Sequence, residues 1–268
     1  MKYNPIISRI TIYPVKALDG ISLQKAEITE GGCLLHDREY AITDTSGNFI
    51  IGKSTTLVHD LRSTVDFENE IISLRHRDET KWNHFHLSKE RSAIRIYLTK
   101  FFGIQVELHQ NKTGRFLDIP DISGVTLLST ASLQSVREWF RNMNMEETRR
   151  RFRATVEIEG VPAFWEDHLF SEKGSAIEFQ LGDVKLIGIS PRERCVVPSR
   201  NPETGESWRG FQKSFAGHRS QSLPGWSLLK QYGHSYYLSV DCHIPKSEIG
   251  KWLNVGDELK ITGTISAS

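Results

Sequence analysis

The segment best equipped for chemistry surrounds Cys195 and reads Ser-Pro-Arg-Glu-Arg-Cys-Val-Val-Pro-Ser-Arg from residue 190 to residue 200. Arg192, Arg194 and Arg200 are close to this cysteine in sequence. Positive neighbours lower the pKa of a thiol and favour the thiolate, which is both a nucleophile and a ligand for softer metals. We therefore take Cys195 as the candidate catalytic residue and metal ligand. The alternative is that a single cysteine beside a strand is a small buried hydrophobe.

The other two cysteines, Cys33 and Cys242, lack this cluster of three arginines, and we expect them to be structural. Three cysteines far apart, with no C-x-x-C pair, are not typical of a disulfide framework or of a cysteine-held zinc or iron–sulfur site. A reducing compartment suits such a chain best.

Periodicity indicates which elements would position Cys195. Ile177–Leu181 and Val184–Ile189 flank Gly-Asp and predict a hairpin, so the cysteine follows a strand end. Ser129 begins an N-cap sequence followed by apolar residues at helical spacing, which predicts one clear helix. The region Ser199–Gly225 is rich in Gly, Ser, Arg and Pro and predicts a long surface loop.

The first hundred residues predict mostly short strands joined by close turns, a pattern that favours a barrel or a sandwich. The predicted strands are Ile6–Tyr13, Glu39–Thr43 with a hairpin partner at Phe49–Ile51, Leu61–Glu68 with Ile71–His76, Ile94–Leu98, and Val106–His109. The turn-rich stretch Asp118–Gly124 is the best boundary between two domains, 1–118 and 119–268.

Composition narrows the class of protein. The chain has 268 residues, 38% hydrophobic and 25% charged, with a formal net charge of +1. Such a balance offers no global attraction to nucleic acid or to a membrane surface, so neither is expected as a partner. The N-terminus has no long apolar core, and the longest apolar runs are too short to span a bilayer. We expect a cytoplasmic protein.

Several segments, in order along the chain, together resemble MOSC domain proteins, the molybdenum-cofactor sulfurase C-terminal type. Arg194-Cys195, Pro198 and Asn201–Gly205 resemble the family's cysteine motif. The remaining matches are Ile12–Lys16 with Gly20, Asp37–Ile42 with Gly47–Phe49, Arg151–Arg153, and Val255–Asp257. The chain is most similar to the branch that includes the mitochondrial amidoxime-reducing component and its bacterial counterparts.

The resemblance implies a mainly β (α+β) fold: a β-barrel MOSC core, a smaller strand-rich MOSC N-terminal β-barrel domain and few helices. It implies a molybdenum–molybdopterin cofactor and reduction of N-hydroxylated or N-oxide small molecules. It also brings pyridoxal phosphate binding as a term attached to the family. No cysteine cluster follows the module, so we expect electrons from an external donor protein of the ferredoxin or flavin reductase type.

The resemblance also implies roles for individual residues. Lys16, Arg38 and Arg153 match positions that hold the phosphate and pterin of the cofactor, and Ser123 and Arg194 match further cofactor contacts. Cys195 matches the molybdenum ligand. Arginine suits such a role because its planar guanidinium pairs with phosphate oxygens through two hydrogen bonds.

Neighbouring positions are interpreted differently. The run Arg149–Arg151 is interpreted as solvated basic surface, the usual place of an arginine. Glu193 departs from the family pattern, and its charge beside an anionic cofactor is unfavourable unless the side chain points away.

Two other functions stay open at this point. Cys195 could carry a persulfide in a sulfur-carrier or sulfur-transfer module, which needs a reactive thiolate but no metal. The chain could also be a binding domain that keeps the fold without the chemistry. A phosphate cradle built from Lys16, Arg38 and Arg153 favours the oxidoreductase, because a sulfur carrier has little use for one.

Overall fold

The computed structural model describes residues 3–113, 115–119 and 124–266. Within those ranges the chain forms fifteen β-strands and four α-helices. The strands are β1 Ile6–Ile12, β2 Ile21–Leu23, β3 Lys25–Glu27, β4 Tyr40–Asp44, β5 Leu61–Asp66, β6 Ile71–His76, β7 Asn83–His86, β8 Val106–Gln110, β9 Val125–Ser129, β10 Val156–Glu159, β11 Ser175–Leu181, β12 Val184–Glu193, β13 Tyr237–His243, β14 Trp252–Asn254 and β15 Leu259–Ser266. The helices are α1 Arg91–Phe102, α2 Thr130–Trp139, α3 Met145–Phe152 and α4 Phe211–Gln221.

The largest sheet has eight strands in the order β15-β11-β12-β13-β9-β10-β1-β2. All its pairings are antiparallel except that of β9 with β10. A parallel pair needs a crossover connection, and α2 and α3 supply it. This crossover leads the chain back toward β1 and leaves the end of α3, with Arg151 and Arg153, beside the segment that follows β12.

Three smaller sheets, β14-β3, β4-β8 and β5-β6-β7, complete the described strands. One apolar core packs against the large sheet. A second core lies between α1 and the strands β4 to β8, and a third lies among α2, α3 and α4. The strand-rich class with few helices is confirmed. The sheets are open across the described ranges, so the barrel closure implied by the resemblance is not seen there.

Several local predictions are confirmed. β5 and β6 form the hairpin predicted for Leu61–Glu68 with Ile71–His76, and Leu61 lies opposite His76. β11 and β12 form the hairpin predicted for Ile177–Leu181 with Val184–Ile189. Ser129 is the N-cap of α2, where its side chain accepts a hydrogen bond from the Ser132 backbone N–H. The segment 49–51 makes only a single bridge, between Phe49 and Thr43, and β4 pairs with β8 instead.

The predicted strand Ile94–Leu98 and the predicted loop Ser199–Gly225 are both wrong, because apolar residues at helical spacing run through each segment. Ile94–Leu98 is not a strand but the middle of α1, where Ile94, Leu98 and Phe102 recur every four residues and are buried. The predicted loop Ser199–Gly225 contains α4, whose Phe211, Phe215 and Arg219 repeat the same spacing and are also buried. The described residues therefore hold four helices rather than one clear helix.

The strand pairing crosses the expected domain boundary. β1 pairs with β10, β2 pairs with β1, and β3 pairs with β14, so these three N-terminal strands belong to sheets that the second half of the chain completes. The boundary itself falls where residues 120–123 lie outside the described ranges. The division into 1–118 and 119–268 stays a prediction.

Candidate functional site

A cleft of about 980 Å³ lies between the N-terminal segments and the segment that follows β12. Lys16, Arg38, Arg153, Arg194 and Cys195 all line it. These residues are up to 179 positions apart in sequence, yet the fold brings them to one cavity. The described candidates therefore share one site, while their individual roles stay predictions. Ser123 lies outside the described residues.

The lining of this cleft is strongly basic, although the whole chain has a net charge of only +1. Thirteen lysine and arginine side chains face seven aspartates and glutamates among the described lining residues. The cations are Arg9, Lys16, Arg38, Lys53, Arg62, Arg75, Arg149, Arg150, Arg151, Arg153, Arg192, Arg194 and Arg200. Such a concentration of one sign of charge attracts anions.

Cys195 lies two residues beyond the end of β12 and is half-buried. Its backbone carbonyl accepts a hydrogen bond from the Tyr236 hydroxyl at 3.1 Å. Cys33 and Cys242 are fully buried, and burial raises the pKa of both thiols. Of the three cysteines only Cys195 lines the cleft, so it is the thiol that a ligand there can reach.

Lys16 follows β1 in a segment held to β4 by the bridge between Val15 and Tyr40. Its Nζ donates to the Phe116 carbonyl at 2.8 Å and to Asp118 Oδ1 at 2.5 Å. Burial lowers the pKa of Lys16, while Asp118 opposes that shift. Asp118 therefore holds the ammonium group in place within the cleft.

Arg38 and Arg153 share an unusual backbone conformation, with φ of 51° and 53° in the left-handed region. Non-glycine residues pay for this conformation, and such strain concentrates at functional sites. The guanidinium carbons lie 5.2 and 4.0 Å from the Tyr13 ring centroid. Arg38 is ion-paired with Asp37, whereas Arg153 has no ion pair or side-chain hydrogen bond to any described residue.

Arg194 points back toward α3, where it donates to the Phe152 carbonyl and lies 5.3 Å from the Phe152 ring centroid. Its Nε is buried without a hydrogen-bond partner in the described chain. Burial and the charge of Arg192 lower the pKa of Arg194 to about 10. Glu193 also lines the cleft, where it pairs with His234 at 3.2 Å and keeps 67% of its side chain exposed, so solvent screens its charge from an anionic ligand.

The interpretation of Arg149–Arg151 as solvated surface is wrong for Arg151, which is 3% exposed. Its NH1 donates to the carbonyls of Pro198 and Arg200 at 2.8 and 2.7 Å, and its NH2 pairs with Glu147 at 2.6 Å. The segment after Cys195 forms a short 3-10 helix, Val197–Ser199, and a single bridge between Arg200 and Ser207, so it lies outside the regular sheets and its buried carbonyls can accept from a side-chain donor. Arg151 therefore fixes that segment against α3.

Sequence reasoning missed His59, and it included Glu203 only as one position of the motif segment Asn201–Gly205. His59 ends a short 3-10 helix, Leu57–His59, and lines the cleft. Glu203 pairs with Arg62 at 2.6 Å and with Arg150, which ties the turn after the cysteine to β5 and to α3. No local pattern predicts the position of His59 or the ion pairs of Glu203, because the residues around each are distant in sequence.

The described residues hold no group of three or more His, Cys, Asp or Glu side chains arranged to bind a metal ion. None of their helices has the length and apolar character to cross a membrane.

Comparison with known proteins matches two domain families. The MOSC N-terminal beta barrel domain matches residues 4–112, and the MOSC domain matches residues 121–260. Mitochondrial amidoxime reducing component 2 of Bos taurus is 24% identical over 243 residues, 74% of this chain and 67% of that protein. The crystal structure of the YUAD protein from Bacillus subtilis aligns with 99% of this chain and 97% of its own at 11% identity, with a TM-score of 0.38, too low to carry an argument.

Proposed function

This chain belongs to the MOSC family, and on that premise we propose that it is an oxidoreductase that binds a molybdenum–molybdopterin cofactor. Its substrates are N-hydroxylated or N-oxide compounds, a proposal supported by the name of the bovine relative. The observation that supports the proposal most strongly is that the half-buried thiol of Cys195 and many cationic side chains line the same cleft.

The donor set of the cleft fits such a cofactor. A pterin phosphate is a dianion, and Arg153 has no anionic partner in the described chain. The Nε atom of Arg194 is buried without a hydrogen-bond acceptor among the described residues. A buried donor left unpaired costs about 1–3 kcal/mol, so an anionic ligand with several oxygens would be stabilised here.

Within this proposal Lys16, Arg38, Arg153 and Arg194 hold the phosphate and pterin, and Cys195 binds the metal. Ser123 is proposed as a further contact on the family resemblance alone. When bound, the cofactor supplies the two-electron redox chemistry. The chain supplies orientation, since Asp118 holds Lys16, and the Tyr13 ring packs against Arg38 and Arg153.

Reduction of an N–OH bond consumes two electrons and two protons and releases water. We assign the electrons to a separate donor protein of the ferredoxin or flavin reductase type, in keeping with the word component in the relative's name. Purified protein should therefore turn over only with an added donor, and oxidation of NADH by the protein alone would contradict this. Pyridoxal phosphate binding stays a prediction.

A sulfur carrier is the second candidate, favoured by the half-exposed Cys195 thiol beside Arg194. It leaves Lys16, Arg38 and Arg153 without a ligand. The two functions differ in what the purified protein contains. An oxidoreductase holds molybdenum and a fluorescent pterin after oxidation, whereas a sulfur carrier shows a persulfide, with 32 mass units added to Cys195, about the mass of one sulfur atom.

The deciding experiment replaces each cysteine in protein produced by a host that makes the cofactor. Cys195→Ser should abolish reduction of an N-hydroxylated amidine by a chemical reductant, because an alcohol is a harder and less acidic ligand than a thiol. The controls Cys33→Ala and Cys242→Ala should stay within a few fold of the parent. Full activity of Cys195→Ser at equal pterin loading would overturn both the site and the mechanism.

A further inference from the structure

We propose that the cleft selects an anionic substrate, an N-hydroxylated compound that carries a carboxylate or a similar group bound between His59 and Arg200. This rests on the proposed function, because it names the substrate class of the same site. It goes beyond the family resemblance, which assigns no role to either residue.

Most cations of the cleft already have an acidic partner. Asp118 binds Lys16 and Arg192, at 2.5 and 2.8 Å, and Asp37 binds Arg38. On another side, Asp19 lies 3.3 Å from Arg62 and 3.4 Å from Arg150, and Glu203 contacts the same two arginines. These pairs hold the walls of the cleft together.

His59 and Arg200 differ from those residues. Neither has an ion pair to a residue that the structure describes. His59 Nε2 and Arg200 Nε are both buried without a hydrogen-bond partner in the described chain, and both side chains line the cleft. Buried polar atoms are normally satisfied, and those that are not call for an explanation such as a ligand.

His59 and the segment that carries the thiol both lie beside Gly52, and His59 also lies beside Gly205. An ideal Cβ on Gly52 would lie 3.5 Å from His59 Nε2 and 3.3 Å from the Val197 side chain, two residues after Cys195. An ideal Cβ on Gly205 would lie 3.4 Å from His59 Cδ2. The two glycines thus leave room for the imidazole beside the cysteine segment.

Burial and the neighbouring positive charges determine the protonation state of His59. Burial, and then the charges of Arg200, Arg153, Arg62 and Arg150, lower the pKa of His59 to about 4. The imidazole is therefore neutral at pH 7 and can donate a proton on Nε2 to an acceptor. Arg200 supplies the positive charge that a carboxylate needs, so the pair offers both a charge and a neutral donor.

His59 and Arg200 are available to bind the substrate because neither is among the cofactor contacts proposed above. Those contacts are Lys16, Arg38, Arg153 and Arg194. Arg200 belongs to the cysteine segment, five residues beyond Cys195. An anionic group held by Arg200 is thereby tethered close to the thiol that would bind the metal.

The kinetic test uses two reducible compounds of similar size, a neutral aryl amidoxime and the same compound with a para-carboxylate. The cofactor-loaded protein should have a kcat/KM about tenfold or more higher for the carboxylate, as one charge-assisted contact provides. Arg200→Gln should remove this preference by raising KM for the carboxylate, with kcat and the neutral substrate little changed. Arg209→Gln, an exposed position on the same segment that does not line the cleft, should behave as the parent.

A binding measurement separates this inference from the reductase. Calorimetry with benzoate, which cannot be reduced, should show binding by the loaded protein and by Arg209→Gln, and at least tenfold weaker binding by Arg200→Gln. Arg200-dependent benzoate binding without turnover of either amidoxime would remove the reductase and keep the anion site. Equal binding by Arg200→Gln, equal kcat/KM for the two amidoximes, or loss of pterin in Arg200→Gln would overturn the inference.

Discussion

Two arginines, the buried Arg219 and the half-buried Arg153, show how charge is accommodated in the core and in the cleft. Arg219 is 2% exposed, and its NH2 donates to both carboxylate oxygens of Asp167, at 2.8 and 2.6 Å. Its guanidinium carbon lies 3.9 Å from the Phe164 ring centroid. Arg153 stacks on Tyr13 at a similar distance, 4.0 Å, but has no acidic partner in the described chain.

The difference lies in where the compensating charge comes from. A buried ion is tolerated when a partner with good geometry compensates its loss of hydration. The core supplies that partner from the chain itself, because Asp167 pairs with NH2 of Arg219 and accepts a further hydrogen bond from Ser227 at 2.5 Å. Nε and NH1 of Arg219 have no hydrogen-bond partner among the described residues, so the carboxylate balances the charge without satisfying every donor. In the cleft no acidic side chain of the described residues occupies the corresponding position beside Arg153. An arginine that is ion-paired within the chain contributes to the fold, whereas an arginine without such a pair at a cavity is available to bind an anionic ligand.

The largest expected effect tests the core side of this comparison. Asp167→Ala should lower the free energy of unfolding by about 3–5 kcal/mol, because it leaves Arg219 buried without its partner. Chemical denaturation measures this loss. Glu172→Ala, an exposed position nearby, should change the free energy by less than about 0.5 kcal/mol. A small loss for Asp167→Ala would mean that the Arg219 site tolerates an open charge as the cleft does.

Glu166, next to Asp167, is the core residue that breaks the pattern. Its carboxylate oxygens lack well-formed hydrogen bonds, and the nearby Ser132 hydroxyl only partly offsets the effect of burial. Burial and the Asp167 charge raise its pKa to about 7. A raised carboxyl pKa contributes stability that is fully present below the ordinary pKa, near 4.5, and is lost as the pH rises through 7.

We therefore expect the free energy of unfolding to fall between pH 5 and pH 8, by a few kcal/mol at about 1.4 kcal/mol per pKa unit. Glu166→Gln should flatten this part of the profile and be more stable than the parent at pH 8. Glu172→Gln should keep the parent profile. Parallel profiles for the parent and Glu166→Gln would show that the carboxyl titrates normally in the fold.

The cleft side of the comparison predicts the opposite balance of effects. Arg153→Gln should leave the free energy of unfolding of the cofactor-free protein nearly unchanged, because no described acidic partner is lost. Its affinity for the pterin cofactor should fall about tenfold to a hundredfold, as expected for one charge-assisted contact. Denaturation and pterin fluorescence measure the two quantities. A large loss of stability with unchanged pterin retention would make Arg153 structural, like Arg219.

The smallest effect concerns the helix that delivers Arg151 and Arg153. Asn144 is the N-cap of α3, and its Oδ1 accepts from the Glu147 backbone N–H at 2.8 Å. Asn144→Ala should cost about 1 kcal/mol of stability. Pterin content should fall by less than in Arg153→Gln. A greater loss of pterin in Asn144→Ala would mean that helix position, rather than the arginine charge, governs binding.

The sequence alone was sufficient to predict those elements that residues close together in the chain determine. Alternation with a tight turn marks the hairpin of β11 and β12, and the strand end then locates Cys195. Prediction fails where a segment fits two patterns. The β-branched residues of Ile94–Leu98 favour a strand, but the buried residues recur every four positions, and the segment is part of helix α1. The class of fold and the identity of the reachable thiol were predictable because turns, caps and periodicity act over a few residues.

Only the tertiary structure decided how the charges are distributed. Nothing in the run Arg149–Arg153 shows that Arg151 is buried under the cysteine segment while Arg153 faces the cleft without an acidic partner. The same holds for His59, whose unpartnered nitrogen depends on Gly52 and Gly205 in distant segments. Whether a charge is structural or open to a ligand depends on which other residue lies within a few ångströms, and that distance is set by the packing of remote elements.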